Sequence, residues 1–247
     1  MGVYNTLNVI LILALIGFSV YYVWDWIKGT GRMQASWIEA NKRDLVSLKL
    51  QQLYRSYPDK SRFLIFWLQF QRLNKEGIKG DVAELGVYRG ETAAVLHALS
   101  PERDLHLFDT FSGFRKEDLA GESGEAATYT TANFADTSLE FVQNKLGAGN
   151  SIHYHVGDFI ETSAALPDVE YALVSLDADL SRPTAEGLAY FYPRLVPGGV
   201  LIVHDYNPKW PGLLQAVDAF VETIPEHAVL MPDLNGSVVI VKNKAIT

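Results

Sequence analysis

The sequence predicts an α/β fold: a mostly parallel, seven-stranded sheet with helices on both faces, preceded by one helix long enough to span a membrane. Three observations carry this. From about residue 81 onward, apolar runs of strand length alternate with segments of helical period. Within that alternation, Asp81-Val-Ala-Glu-Leu-Gly-Val-Tyr-Arg-Gly-Glu-Thr92 and Leu105-His-Leu-Phe-Asp109 read as strand, glycine turn, helix and second strand, the βαβ unit of a nucleotide-type cofactor site. Residues 1–24 hold no charged side chain.

In chain order, Val9 to Val23 is almost wholly apolar. A helix of roughly 22 residues reaches about 33 Å, enough for a hydrocarbon core. Tyr21, Tyr22, Trp24 and Trp26 put aromatic rings where an interface lies. A single-pass anchor over residues 1–27 is the expectation. The alternatives are a core or interfacial helix and a cleaved signal peptide, the latter without its basic leader or small-residue cleavage site. Lys28 and Arg32 follow the span and predict a cytoplasmic catalytic domain held at a membrane.

Gly29-Thr-Gly31 reads as a joint, and residues 28–78 as linker and covering helices. Leu45, Leu48, Leu50 and Leu53, then Phe63, Leu64, Phe66, Trp67, Phe70 and Leu73, are too dense for a solvated face. The stripe Phe63, Trp67 and Phe70 reads as packing.

Residues 79–247 form the expected ligand-binding domain. Strands are predicted near 81–86, 104–109, 151–156, 171–176, 199–204, 227–231 and 236–242, and helices near 91–99, 138–146, 182–195 and 211–223. Asn235-Gly236 marks a turn that can pair the last two strands antiparallel. The polar stretch Arg115 to Asn133 has no period and follows closely on Asp109, a place for a lid or for a plain solvated loop. Thr137-Ser-Leu-Glu140 reads as a capping box for the next helix.

Composition narrows the function. One catalytic domain is the expectation for 247 residues that are 48% hydrophobic. The net charge of −8, without a basic stripe, argues against a nucleic-acid partner and for a small molecule or glycan. The absence of cysteine removes disulfides, thiolate zinc sites and a cysteine nucleophile, and the six histidines form no H-E-x-x-H pair.

The candidate site gathers at strand ends. Gly86 and Gly90 permit close backbone approach to a ligand, and Glu91-Thr92 open a helix whose free N–H groups face the same crevice. Asp109, 19 residues after Gly90, is placed to accept hydrogen bonds from a ribose diol. The spacing Glu84-x-Gly86-x-x-x-Gly90 differs from the G-x-G-x-x-G of a dinucleotide site, which disfavours a nicotinamide-dependent oxidoreductase. An acid beside the turn suits a cationic or amino-bearing ligand. Asp158, at a third strand end, is a candidate partner of an adenine amino group and, with Glu161, an N-cap box. Two more apolar runs end in Asp177-Ala-Asp179 and His204-Asp205, and a parallel sheet brings both to one edge. Such a set suits Mg²⁺ or a similar ion that binds two oxygens of a substrate, and for Asp179 capping or ion-pairing stands level with ligation.

Glu84, Gly86, Gly90 and Asp109 together resemble the first two motifs of class I S-adenosylmethionine-dependent methyltransferases, which have a Rossmann-like fold. More narrowly, Glu84-Leu-Gly-Val-Tyr-Arg-Gly90, Phe108-Asp-Thr-Phe-Ser-Gly-Phe114, Gly157-Asp-Phe-Ile-Glu-Thr162, Leu176-Asp-Ala-Asp-Leu180 and His204-Asp-Tyr206 are similar to the macrocin O-methyltransferase family, from about residue 60 to 242. The resemblance implies an S-adenosylmethionine pocket of Glu84, Gly86, Tyr88, Gly90, Thr92, Asp109 and Asp158. It implies that Asp177, His204 and Asp205 face the acceptor hydroxyl and hold a divalent ion, Mg²⁺ or Mn²⁺. His204 stands where the family has an acid, and reads as a ligand better suited to Mn²⁺ or as the base for the hydroxyl proton. The expected acceptor is a hydroxyl of a sugar, glycan or glycosylated natural product near a membrane. A scaffold of the same fold that binds cofactor without turnover is the alternative, and a homo-oligomer is left open.

Overall fold

The computed structural model describes residues 3–28, 34–147 and 149–243. The chain divides into two compact units between Leu48 and Lys49. In the first, α1 (Val3–Lys28) is one uninterrupted helix. Its stretch Tyr4–Trp24, 21 residues, is long and apolar enough to cross a membrane, and none of it is buried. Tyr21, Tyr22 and Trp24 are exposed at its C-terminal end. The joint at 29–31, Arg32, and the side chains of Trp26 and Lys28 lie outside the described residues. Helix α2 (Ala35–Lys42) starts where the Gln34 side chain accepts from the Trp37 N–H at 2.9 Å.

The covering helices are α3 (Leu48–Ser56), which runs into the second unit, and α4 (Lys60–Glu76). The break between them is chemical: Pro58 cannot extend α3, and Asp59 caps α4 by accepting from the N–H groups of Ser61 and Arg62 at 2.9 and 3.0 Å. The same helix ends at Gly77, whose left-handed φ of 66° closes the last turn. Between these caps, Phe63, Phe66, Trp67, Phe70 and Leu73 are buried, so the aromatic stripe packs.

The strands are β1 (Asp81–Leu85), β2 (Leu105–Asp109), β3 (Ile152–Val156), β4 (Tyr171–Leu176), β5 (Leu195–His204), β6 (Val229–Met231) and β7 (Ser237–Val241). They form one seven-stranded sheet in the order β3-β2-β1-β4-β5-β7-β6. The first five run parallel, while β7 is antiparallel to both β5 and β6. The helices between strands are α5 (Glu91–Leu99), α6 (Leu139–Leu146), α7 (Phe159–Ala164), α8 (Ser181–Arg194) and α9 (Pro211–Val221). Helices α7, α8 and α9 pack side by side on one face, and α4, α5 and α6 on the other. Near-continuous apolar strands follow from this double cover, and all six residues of β4 are buried.

Register fixes the functional edge. Leu85 stands level with Phe108 on one side and Leu176 on the other, and Leu176 with Val203. The next residues, Gly86, Asp109, Asp177 and His204, therefore stand in one row at the carboxyl end of the parallel strands. The chain order reverses between β1 and β4, which opens a crevice at that edge.

Two local expectations are corrected. Ser138, not Thr137, caps α6, accepting from the Phe141 N–H at 3.1 Å. The Thr137 hydroxyl instead donates to the Tyr88 carbonyl at 2.6 Å. Strand β5 begins at Leu195, four residues early, because Pro193 ends the helical hydrogen bonding of α8.

Candidate functional site

A cavity of about 330 Å³ opens at the β1–β4 crossover. Glu84, Gly86, Tyr88, Thr92, Asp109, Asp158, Asp177 and Asp205 line it, whereas Gly90 and His204 do not.

The glycine turn is built for protein backbone first. Gly86 has φ 88°, and a Cβ there would overlap the carbonyl of Asp177. Gly90, at φ 73°, is the N-cap of α5, and its Cβ would lie 3.0 Å from Val142 of α6. The close approach expected toward a ligand is thus, for Gly90, an approach to a neighbouring helix. Tyr88 holds φ 51°, a left-handed conformation unusual for a non-glycine residue. Asp109 fixes that turn: one oxygen accepts from the N–H groups of Val87 and Tyr88 at 2.7 and 2.8 Å, the other from Phe111 at 2.7 Å. Three backbone donors fix the position of its carboxylate at the cavity wall.

Glu84 is 1% exposed, and its Oε2 has no hydrogen-bond partner. Burial raises its pKa well above the carboxylate range, reinforced by Asp177, Asp109 and Glu91 and opposed by Arg62. Thr92 donates its side-chain hydroxyl to, or accepts from, Tyr57 at 2.7 Å. Asp158 caps α7 through the Glu161 N–H at 3.1 Å and ion-pairs with Arg115 through its other oxygen. The cap reading of Asp158 therefore holds, and Arg115 competes for any adenine contact.

The stretch after Asp109 is an ordered flap. Phe114 stacks on Tyr129 at 5.4 Å and meets Phe134 edge-on at 5.2 Å. Glu122 accepts from the Ser181 N–H and hydroxyl at 2.7 and 2.6 Å, pinning the flap to the start of α8. Phe114, Arg115, Asp118 and Phe134 line the cavity from this side.

The acid edge differs from expectation. Sequence reasoning missed Arg62, which comes from the first turn of α4. Its guanidinium donates to Asp177 at 3.0 Å and to Asp233 at 3.1 Å and stands 3.8 Å from Asp205. Burial opposes its charge, but Asp177, Tyr57, Asp205 and Asp233 outweigh burial and hold the pKa above the ordinary value. Burial raises Asp177 and, strongly, Asp179, whose neighbours Asp177 and Asp205 add to the effect. No motif announces Arg62; only the Asp59 cap signal, three residues earlier, bears on where it points.

His204 is the second correction. It is 1% exposed, and its ring nitrogens meet the hydroxyls of Ser175 at 2.9 Å and Ser237 at 2.8 Å. Register explains this, since His204 pairs with Ser237 on β7 and is held inside the sheet. Burial first, then Arg62, lowers its pKa from 6.5 to about 3. It is neither a base facing the cavity nor a free metal ligand. Among the described residues, no three His, Asp or Glu side chains are grouped to hold a metal ion. The expected set Asp177, His204 and Asp205 does not fit a divalent ion, because the imidazole is engaged elsewhere and a guanidinium stands among the acids.

A family model described as Macrocin-O-methyltransferase (TylF) matches residues 56–231. The Mycinamicin III 3''-O-methyltransferase of Micromonospora griseorubida is 30% identical over 145 residues, 53% of this chain and 57% of that protein. The 8-demethyl-8-(2,3-dimethoxy-alpha-L-rhamnosyl)-tetracenomycin-C 4'-O-methyltransferase of Streptomyces olivaceus is 28% identical over 142 residues, 53% of this chain and 54% of that protein. The chain thus spans little more than half the length of these curated relatives. Among solved structures, the O-methyltransferase NovP superposes with a TM-score of 0.67 at 21% identity, over 75% of this chain and 81% of that one. CalS11, a calicheamicin methyltransferase, does so with 0.56 at 21%, over 85% and 93%. At such identities these two likenesses speak for the fold.

Proposed function

The chain belongs to the macrocin O-methyltransferase family, and from that premise we propose that it uses S-adenosylmethionine to methylate a sugar hydroxyl of a glycan or glycosylated natural product. The observation that carries this reading is the carboxylate-rich cavity at the β1–β4 crossover, where Glu84 keeps a buried oxygen without a partner. A sulfonium and an ammonium fit such a place, because a cationic ligand offsets the cost of burying the carboxylates. When bound, S-adenosylmethionine supplies an electrophilic methyl group.

The residues divide the work. Glu84 offers Oε2 to an amino group, and Asp109, preset by its three backbone donors, accepts from ribose hydroxyls. Gly86, Tyr88 and Thr92 form the wall between them, and Asp158 serves the adenine end once Arg115 yields an oxygen. Asp177 and Asp205 face the acceptor. Burial makes Asp177 a stronger base than a solvated acid, so it takes the proton that the acceptor hydroxyl gives up. Holding the hydroxyl in line and dry is the larger contribution.

The sugar acceptor is supported by the relative named for a rhamnosyl tetracenomycin substrate. The length and apolarity of helix α1 support a single-pass membrane anchor, and Lys28 and Arg32 after it support a cytoplasmic catalytic domain, which together favour an acceptor held at that surface. The domain plan that follows is an anchor over 1–27, linker and covering helices over 28–78, and a methyltransferase domain over 79–247.

Calorimetric titration of the full chain in detergent micelles with S-adenosylhomocysteine tests the reading. One-to-one binding is expected, weakened by Glu84→Gln and abolished by Asp109→Ala. No heat from a chain that circular dichroism shows folded overturns it.

A further inference from the structure

The acid edge already contains its cation. Arg62 reaches Asp177, Asp205 and Asp233 from α4, its side chain is 13% exposed, and it lines the cavity. Its Nε donates to Asp233 and its Nη1 to Asp177, while Nη2 stands 3.8 Å from Asp205, beyond hydrogen-bond distance. Arginine has five N–H donors, so the group keeps donors for an oxygen in the cavity.

Behind it runs a chain of hydrogen bonds that fixes both position and charge. The Ser237 hydroxyl donates its one proton to Asp233 at 2.6 Å. At 2.8 Å from that hydroxyl, Nδ1 of His204 must then be the donor. A neutral imidazole with its proton on Nδ1 has an acceptor at Nε2, which receives the Ser175 hydroxyl at 2.9 Å. His204 therefore anchors Ser237, Ser237 anchors Asp233, and Asp233 anchors the guanidinium. From the other side, Asp59 caps α4 at Ser61 and Arg62 and accepts from the Leu234 N–H at 2.7 Å, tying the start of α4 to the loop that carries Asp233.

We propose that Arg62 is the built-in cation of this site: it occupies the place among Asp177, Asp205 and Asp233 that a divalent ion would need, and donates to the acceptor oxygen in the ion's stead. The acceptor role rests on the methyl-transfer reading; the exclusion of a divalent ion from these acids does not. A fixed guanidinium repels a divalent ion and takes up the carboxylate oxygens that would bind it. His204 is then a positioning residue for Arg62.

The test titrates the metal-stripped full chain in detergent micelles with Mn²⁺ and follows the paramagnetic resonance signal of the free ion. The wild-type chain is expected to take up no stoichiometric Mn²⁺. Arg62→Met is expected to gain one Mn²⁺ per chain, bound roughly tenfold or more tighter than any wild-type uptake, and adding Asp177→Asn is expected to remove the gain. Arg62→Gln, whose amide can still donate to Asp233, replaces Arg62→Met should that variant not fold. Wild-type uptake of one Mn²⁺ per chain that Asp205→Asn abolishes overturns the proposal, and so does a folded Arg62 variant with no gain. Titration with S-adenosylhomocysteine on the same samples reads the cofactor site separately, so failure of the metal arm is distinguishable from failure of the methyltransferase reading.

Discussion

At the residue scale, the site is governed by what burial does to charge. Glu84, Asp177 and Asp179 are pushed toward their protonated forms and His204 toward its neutral form, all mainly by burial. For His204 the consequence is a dependence of stability on pH. Its folded pKa of about 3 lies below the ordinary 6.5, so the unfolded chain takes the proton first and stability falls as pH drops from 6.5 toward 3. By pH 5 the loss from this one residue reaches about 2 kcal/mol. His155, lowered to about 4 by burial and then His106, acts with the same sign. Urea unfolding of the full chain is expected to show a steep decline between pH 6.5 and 5, shallower but not flat in His204→Gln; an unchanged slope would place the sensitivity elsewhere. Glu84, Gly86, Asp109 and Asp177 were legible in the sequence because each sits at a strand end next to a turn signal. Arg62 was not, since one arginine on an apolar helix looks like any solvated cation until its helix is docked.

At the element scale, α4 is the part on which the acid edge depends. Its N-terminus is held by a single carboxylate: Asp59 accepts from Ser61 and Arg62 with one oxygen and from Leu234 with the other. Removing it in Asp59→Ala deprives the helix of its cap and leaves the Leu234 N–H without its acceptor. The expected cost is about 2–3 kcal/mol, and Asp59→Asn should recover the cap share. The urea midpoint checks both, and a loss below about 0.5 kcal/mol would show that the cap does not set the helix. The flap from Phe114 to Phe134 is the opposite case. Its sequence has no period, and its order comes from an aromatic cluster and from Glu122 bonding to the start of α8, contacts between residues far apart in the chain.

At the scale of the whole molecule, the parallel part of the sheet and the double helical cover follow from alternation of strand and helix, which leaves few unknotted, right-handed solutions. The N-terminal helix is separate in kind, since none of its stretch Tyr4–Trp24 is buried and those 21 residues offer a largely apolar span to a bilayer. The full chain is expected to float with phosphatidylcholine vesicles in a density gradient and to resist extraction by high salt and by carbonate at high pH. Release by carbonate would exclude a spanning helix.

What the sequence determined by itself was the periodic and the local: the α/β class, the strands, the apolar N-terminal span, the cap at Asp158, and the row of strand-end acids. Each of these depends on residues within a few positions of one another. Only the tertiary structure decided which side chains share space. The pairing of β5 with β7 set His204 against Ser237 and took it out of the cavity, and the docking of α4 brought Arg62 to Asp177. Both depend on register and packing between segments more than thirty residues apart, about which local spacing carries no information.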